Sequence, residues 1–125
     1  MKKTILFVIV AIISSSCYKQ IRLEGFDKEK WGNHTEVCDT YRLDIAPHLI
    51  EHQEVLLEGT QNEIESLLGK ATEHELYQRN QKFFHYRLTP RESCGNYETI
   101  SYLSIRFNAI GRANLIQVML RDASK

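Results

Sequence analysis

The sequence predicts an α+β fold in which two short helices pack on a small antiparallel β-sheet. Two rhythms of apolar residues carry that reading. They recur near every 3.6 positions between Asp44 and Gly69, and near every second position from His74 to Leu120. Turn residues punctuate both halves, at Gly59, Gly69, Arg79-Asn80 and Asn108–Gly111. A chain of 125 residues is sized for one small domain. Its 42% hydrophobic and 26% charged residues suit a packed core rather than a disordered chain. Sixteen basic side chains against sixteen acidic ones give a formal charge of zero, which argues against the basic face a nucleic-acid binder needs, so no nucleic-acid partner is expected.

The first element reads as an address. Lys2 and Lys3 precede an unbroken apolar run, Ile5–Ile13, and then come Ser14, Ser15, Ser16 and Cys17. Nine apolar residues are too few for a bilayer span, which takes about 20. A positive start, a short apolar core and small residues describe a secretory signal. Ser15-Ser16-Cys17 after that core resembles the lipobox of bacterial lipoproteins. The resemblance implies a signal peptide over residues 1–16 and a lipid on Cys17. Two or three acyl chains anchor stably where one does so only marginally, so the membrane becomes a partner through that lipid. Removing residues 1–16 takes away Lys2 and Lys3 and leaves 109 residues with 14 basic and 16 acidic side chains, a charge near −2.

Residues 17–43 read as a lipidated tether and cover segment. Tyr18–Glu24 has no clear period, while Phe26 and Trp31 bracket a charged stretch and should cover the domain. The domain itself is expected over residues 44–125. Asp44 is a plausible N-cap for a helix carrying Ile45, Leu49, Ile50 and Leu56 on one face, with Pro47 in its first turn. Thr60 and Glu63 have capping-box spacing for a second helix, Gly69 stops it, and Ile64, Leu67 and Leu68 form its apolar face. Leu76–Gln78 and Phe84, Tyr86 and Leu88 then read as strands around Arg79-Asn80. Residues 89–99 form a loop carrying Cys94. Leu103, Ile105 and Phe107 alternate before a hairpin at Asn108–Gly111, and Ile116, Val118 and Leu120 alternate after it.

Three cysteines are an odd number for an exported chain. With Cys17 lipidated, Cys38 and Cys94 remain and should form a disulfide in an oxidising compartment. Two free thiols are the alternative. The pair would close a loop of 56 residues, which the chain-entropy model equates to about 4 kcal/mol.

The stretch Gly59-Thr-Gln-Asn-Glu-Ile-Glu-Ser-Leu-Leu-Gly-Lys70, with the hairpin Phe107-Asn-Ala-Ile-Gly111, resembles the SmpA/OmlA (BamE-like) family of small outer-membrane lipoproteins. Gly59, Thr60, Ile64, Leu68 and Gly69 carry the match, which spans roughly Gly59 to Leu120. The resemblance implies the two-helix and sheet fold, and a role related to outer-membrane protein assembly. It leaves out the Cys38–Cys94 pair. Tyr18 stands after Cys17, where an Asp would signal retention in the inner membrane. An outer-membrane anchor facing the periplasm is therefore expected.

One motif suggests chemistry. His48-Leu-Ile-Glu51-His52 matches the H-x-x-E-H pattern of a zinc peptidase, with the histidines as ligands and Glu51 as general base. Such a site needs a third ligand and a cleft, for which 109 residues leave little room. The motif reads instead as the solvated face of a helix, with no metal and no cofactor expected. His34, His74 and His85 lie in different elements, and His85 should face solvent because it alternates with Phe84 and Tyr86. Tyr86, Tyr97 and Tyr102 could form a contact patch or pack on the sheet. The expectation is a non-enzymatic lipoprotein that binds an envelope protein or acts as a scaffold. A periplasmic enzyme inhibitor presenting the Cys94 loop is the first rival, and a small metal-dependent hydrolase the second.

Overall fold

The computed structural model describes residues 20–123, so Cys17 and the apolar run before it lie outside the described residues. In order come α1 (Lys28–Gly32), α2 (Tyr41–Glu51), α3 (Gln61–Leu68), β1 (Glu73–Tyr77), β2 (Gln81–Arg87), β3 (Thr99–Phe107) and β4 (Ala113–Asp122). The strands form one antiparallel sheet in the order β1-β2-β3-β4. The fold is α+β, with three short α-helices among the described residues where two were expected. The extra one, α1, has only five residues and shows no periodicity, but Asp27 caps it by accepting the Lys30 N–H at 3.1 Å.

Helix α2 corrects the sequence reading. It starts at Tyr41, and Asp44 is a first-turn acid that accepts from Thr40 Oγ1 at 2.9 Å rather than an N-cap. A carboxylate there suits the positive end of the helix dipole. Pro47 consequently falls inside the helix, not in its first turn. The buried stripe is Arg42, Ala46 and Leu49, whereas Ile45 and Ile50 are only half-buried. Leu56, expected on this helix, follows a 3-10 turn at Gln53–Val55 and is completely buried.

Helix α3 follows the sequence reading. Thr60 Oγ1 accepts the Glu63 N–H at 3.2 Å, Gly69 ends the helix at φ +71°, and Ile64, Leu67 and Leu68 are buried. The next strand runs over Glu73–Tyr77 rather than 76–78, because Arg79 and Asn80 both take φ +60° and close a tight hairpin around Tyr77↔Gln81. Glycine-free residues in that conformation carry a steric cost, which the flanking ladder must offset.

One sheet face and the helices share the core. Phe84, Tyr86, Leu88, Leu103, Ile105 and Phe107 meet Leu49, Leu56, Ile64 and Leu68. Burying each such side chain contributes about 1.5–3 kcal/mol. Trp31 is 1% exposed and closes this core from the N-terminal side. Its Nε1–H donates to Leu68 O at 2.8 Å. The Arg42 guanidinium lies 4.4 Å over its ring and donates to Trp31 O and Arg87 O, each at 3.0 Å. Burial lowers the Arg42 pKa to about 10, and these carbonyls satisfy the charge. Ile21, within the stretch read as a tether, is a core residue. It reaches Gly59, where an added Cβ would sit 2.9 Å from Leu56 O and 3.2 Å from Ile21 Cδ1. Gly59 is therefore fixed by close approach of the backbone.

Candidate interaction surface

The helix that covers the sheet has a second apolar stripe. Leu43, Pro47 and Ile50 recur at i, i+4 and i+7, one step around α2 from its buried face. With Ala46, Leu88 and Val118 they line an open groove of about 430 Å³ between α2 and the sheet. Ser101 and Glu51 supply its polar border. Val118 is 44% exposed and Leu120 66%, and both point from β4 to the groove side of the sheet.

Strand β4 is also the sheet's edge. Its first residue is covered, because Ala113 exchanges backbone hydrogen bonds with Glu58 and Gly59 at 2.8 Å. From Leu115 to Leu120 the strand reads LIQVML, and among the described residues no further strand pairs with its outer edge. An edge without charge or proline is a template for strand addition. The groove and the edge thus adjoin, offering apolar pockets beside unpaired backbone.

The opposite sheet face carries a polar cluster that corrects the expected exposure of His85. Its ring is 2% exposed, with Nδ1 2.7 Å from Ser104 Oγ and Nε2 2.8 Å from Glu75 Oε2. The carboxylate takes the Nε2 hydrogen, so Nδ1 accepts from the serine hydroxyl. Phe83 stacks on the imidazole with centroids 5.6 Å apart, and Tyr102 meets it edge-on. These neighbours, rather than a helix, exclude water, which strand alternation alone does not reveal. A serine, a histidine and a carboxylate in line have the composition of a nucleophilic relay. Here Ser104 is 1% exposed in the middle of β3, and its hydroxyl is held within the sheet. The cluster acts as a clasp across β1, β2 and β3. Beside it, Arg121 pairs with Glu73 at 2.9 Å and lies 4.7 Å over the Tyr102 ring. Hydrogen bonding to Glu73 raises the Arg121 pKa. Tyr86 is in the helix-facing core and Tyr102 on this other face, with Tyr97 in a loop, so the three tyrosines form no single patch.

Cys38 and Cys94 are bonded, with Cα atoms 5.5 Å apart, as their count in the sequence predicts. The bond joins the loop after α1 to the β2–β3 loop. Near that junction His34 is 3% exposed and its Nε2–H donates to Thr89 O at 3.1 Å. Among the described residues nothing bonds its buried Nδ1. Burial and then the Arg42 charge lower its pKa. His74 lies exposed on β1, stacked 4.4 Å from Phe84.

His48, Glu51 and His52 come together at the end of α2, each offering a ligand atom within 4.8 Å of the others. His48 and His52 are half-buried rather than fully solvated. Comparison with protein-family models, with curated proteins and with solved structures finds no match. Among the described residues no helix is long and apolar enough to cross a membrane.

Proposed function

We propose that this chain is an exported lipoprotein, held by lipid on Cys17 to the periplasmic face of the outer membrane. Its domain binds another envelope protein without catalysing a reaction. A BamE-like shape, and with it a role related to outer-membrane protein assembly, is part of the same reading. The observation that carries it is the groove between α2 and β4, where Val118 stays exposed beside an unpaired strand edge. Exposed apolar side chains next to free backbone suit a partner that presents an extended apolar segment.

The test is site-specific photocrosslinking in native membranes, with the reactive residue at Ile50 or Val118 and, as a control, at Asn62 on the exposed side of α3. The same discrete adduct from both groove positions, absent from Asn62, is expected. Adducts of equal yield at all three positions, or at Asn62 alone, would refute the groove as the binding surface.

The inhibitor reading has one observation in its favour. Cys94 staples the loop at residues 89–98, which keeps Tyr97 partly exposed on a tethered backbone. Crosslinks confined to Tyr97 would favour that reading.

A further inference from the structure

We propose that His48, Glu51 and His52 form a binding site for a divalent transition metal ion, with zinc the representative case. The site fastens the N-terminal segment at Glu24 to the end of α2, and it shares only Glu51 with the border of the groove. The spacing i, i+3, i+4 sets the three side chains on one helical face, and their ligand atoms lie within 4.8 Å of one another. Two donors bound to one zinc at about 2.1 Å sit at most about 4.2 Å apart. The widest pair must therefore close by about 0.6 Å, within reach of a small side-chain rotation.

Three further features favour a cation over bare solvent. The His48 Nε2–H donates to Glu24 O at 2.6 Å, so Nδ1 keeps its lone pair. A ring nitrogen donating to a backbone carbonyl is the usual support for a metal-binding histidine, because it fixes both tautomer and orientation. Gly25 follows Glu24 at φ +78°, and a Cβ there would lie 3.3 Å from His48 Nε2, so the turn that presents the carbonyl depends on glycine. The cluster also sits at the C-terminal end of an eleven-residue helix, where the dipole favours positive charge. Glu54 lies 3.7 Å from His52 Nδ1 and adds negative charge, while Arg22 opposes it from the rim of the adjoining hollow. That hollow, about 270 Å³ and also lined by Leu23 and Val55, leaves room for water to complete the coordination. Two imidazoles and a carboxylate suit zinc or copper better than magnesium or calcium.

The experiment is calorimetric titration of zinc chloride into the untagged full chain in detergent, beside His52→Ala, Glu51→Gln and His74→Ala. One zinc per chain with micromolar affinity is expected. His52→Ala should weaken binding at least tenfold and Glu51→Gln less, while His74→Ala, a histidine elsewhere on the surface, should leave it unchanged. All variants replace exposed or half-buried side chains, and circular dichroism checks their fold. Absence of saturable binding, or equal loss from His52→Ala and His74→Ala, would overturn the site. Hydrogen exchange supplies a second readout: zinc should slow exchange at Glu24 and Gly25, and no change there would overturn the fastening role.

Discussion

The indole Nε1–H of Trp31 donates to the last carbonyl of α3, Leu68 O, at 2.8 Å. That contact spans 37 residues and satisfies a helix-end carbonyl that has no donor within its own helix. Trp31 therefore serves as both core and cap. Trp31→Ala should cost about 3–5 kcal/mol, and Trp31→Phe about 1–3 kcal/mol through the unsatisfied carbonyl. Urea unfolding of the purified chain measures both. A Phe variant as stable as the parent would show that the hydrogen bond contributes nothing.

The Cys38–Cys94 bond holds the N-terminal cover against the β2–β3 loop. Replacing both cysteines by serine should lower stability by about 2–5 kcal/mol. Thermal unfolding under oxidising and reducing conditions tests this. The parent should lose stability on reduction, and the double variant should not respond.

Low pH should act through His34. Its unfolded pKa is about 6.5, and burial followed by the Arg42 charge holds the folded value lower. Between those values the unfolded chain binds more protons, so stability falls as pH drops below about 6.5 and is recovered above it. His34→Gln keeps a donor for Thr89 O and removes the titration. Urea midpoints at pH 7 and pH 5.5 should differ less in the variant, and an equal difference would exclude His34 as the cause.

Ser104 should prove structural. Ser104→Ala leaves the buried His85 Nδ1 without its donor and should cost about 1–3 kcal/mol. Groove crosslinking should be unchanged. Loss of crosslinking with the fold intact would tie the clasp to binding.

The lipid anchor has a direct measurement. Membrane-extracted protein should have the mass of a chain starting at Cys17 with two or three acyl groups. A chain starting elsewhere, or an unmodified Cys17, would remove the anchor from the proposal.

Local chemistry made α3 and the hairpins legible in the sequence. The Thr60–Glu63 box, Gly69 and Gly111 each work within a few residues. Helix α2 was harder because it is apolar on two sides: Arg42, Ala46 and Leu49 face the core, while Leu43, Pro47 and Ile50 line the groove. A buried arginine among the core positions then disguised the inward stripe. His85 shows the same limit in the sheet. Its burial depends on Glu75, Tyr102 and Ser104 arriving through strand pairing beside Phe83 of its own strand, and no window of sequence around it contains that register.

The strand order β1-β2-β3-β4 has a consequence for how the chain acquires its shape. Each strand pairs with its sequence neighbour, so the sheet grows by short-range closures, which are the fast ones. The N-terminal segment is tied down by long-range closures, Trp31 with Leu68, Arg42 with Arg87 and Cys38 with Cys94. A chain delivered from its N-terminus, off a ribosome or through a translocation channel, emerges with these residues before any of their partners. The part delivered first is thus the last to lock, and the domain completes itself backwards, from the sheet to the cover.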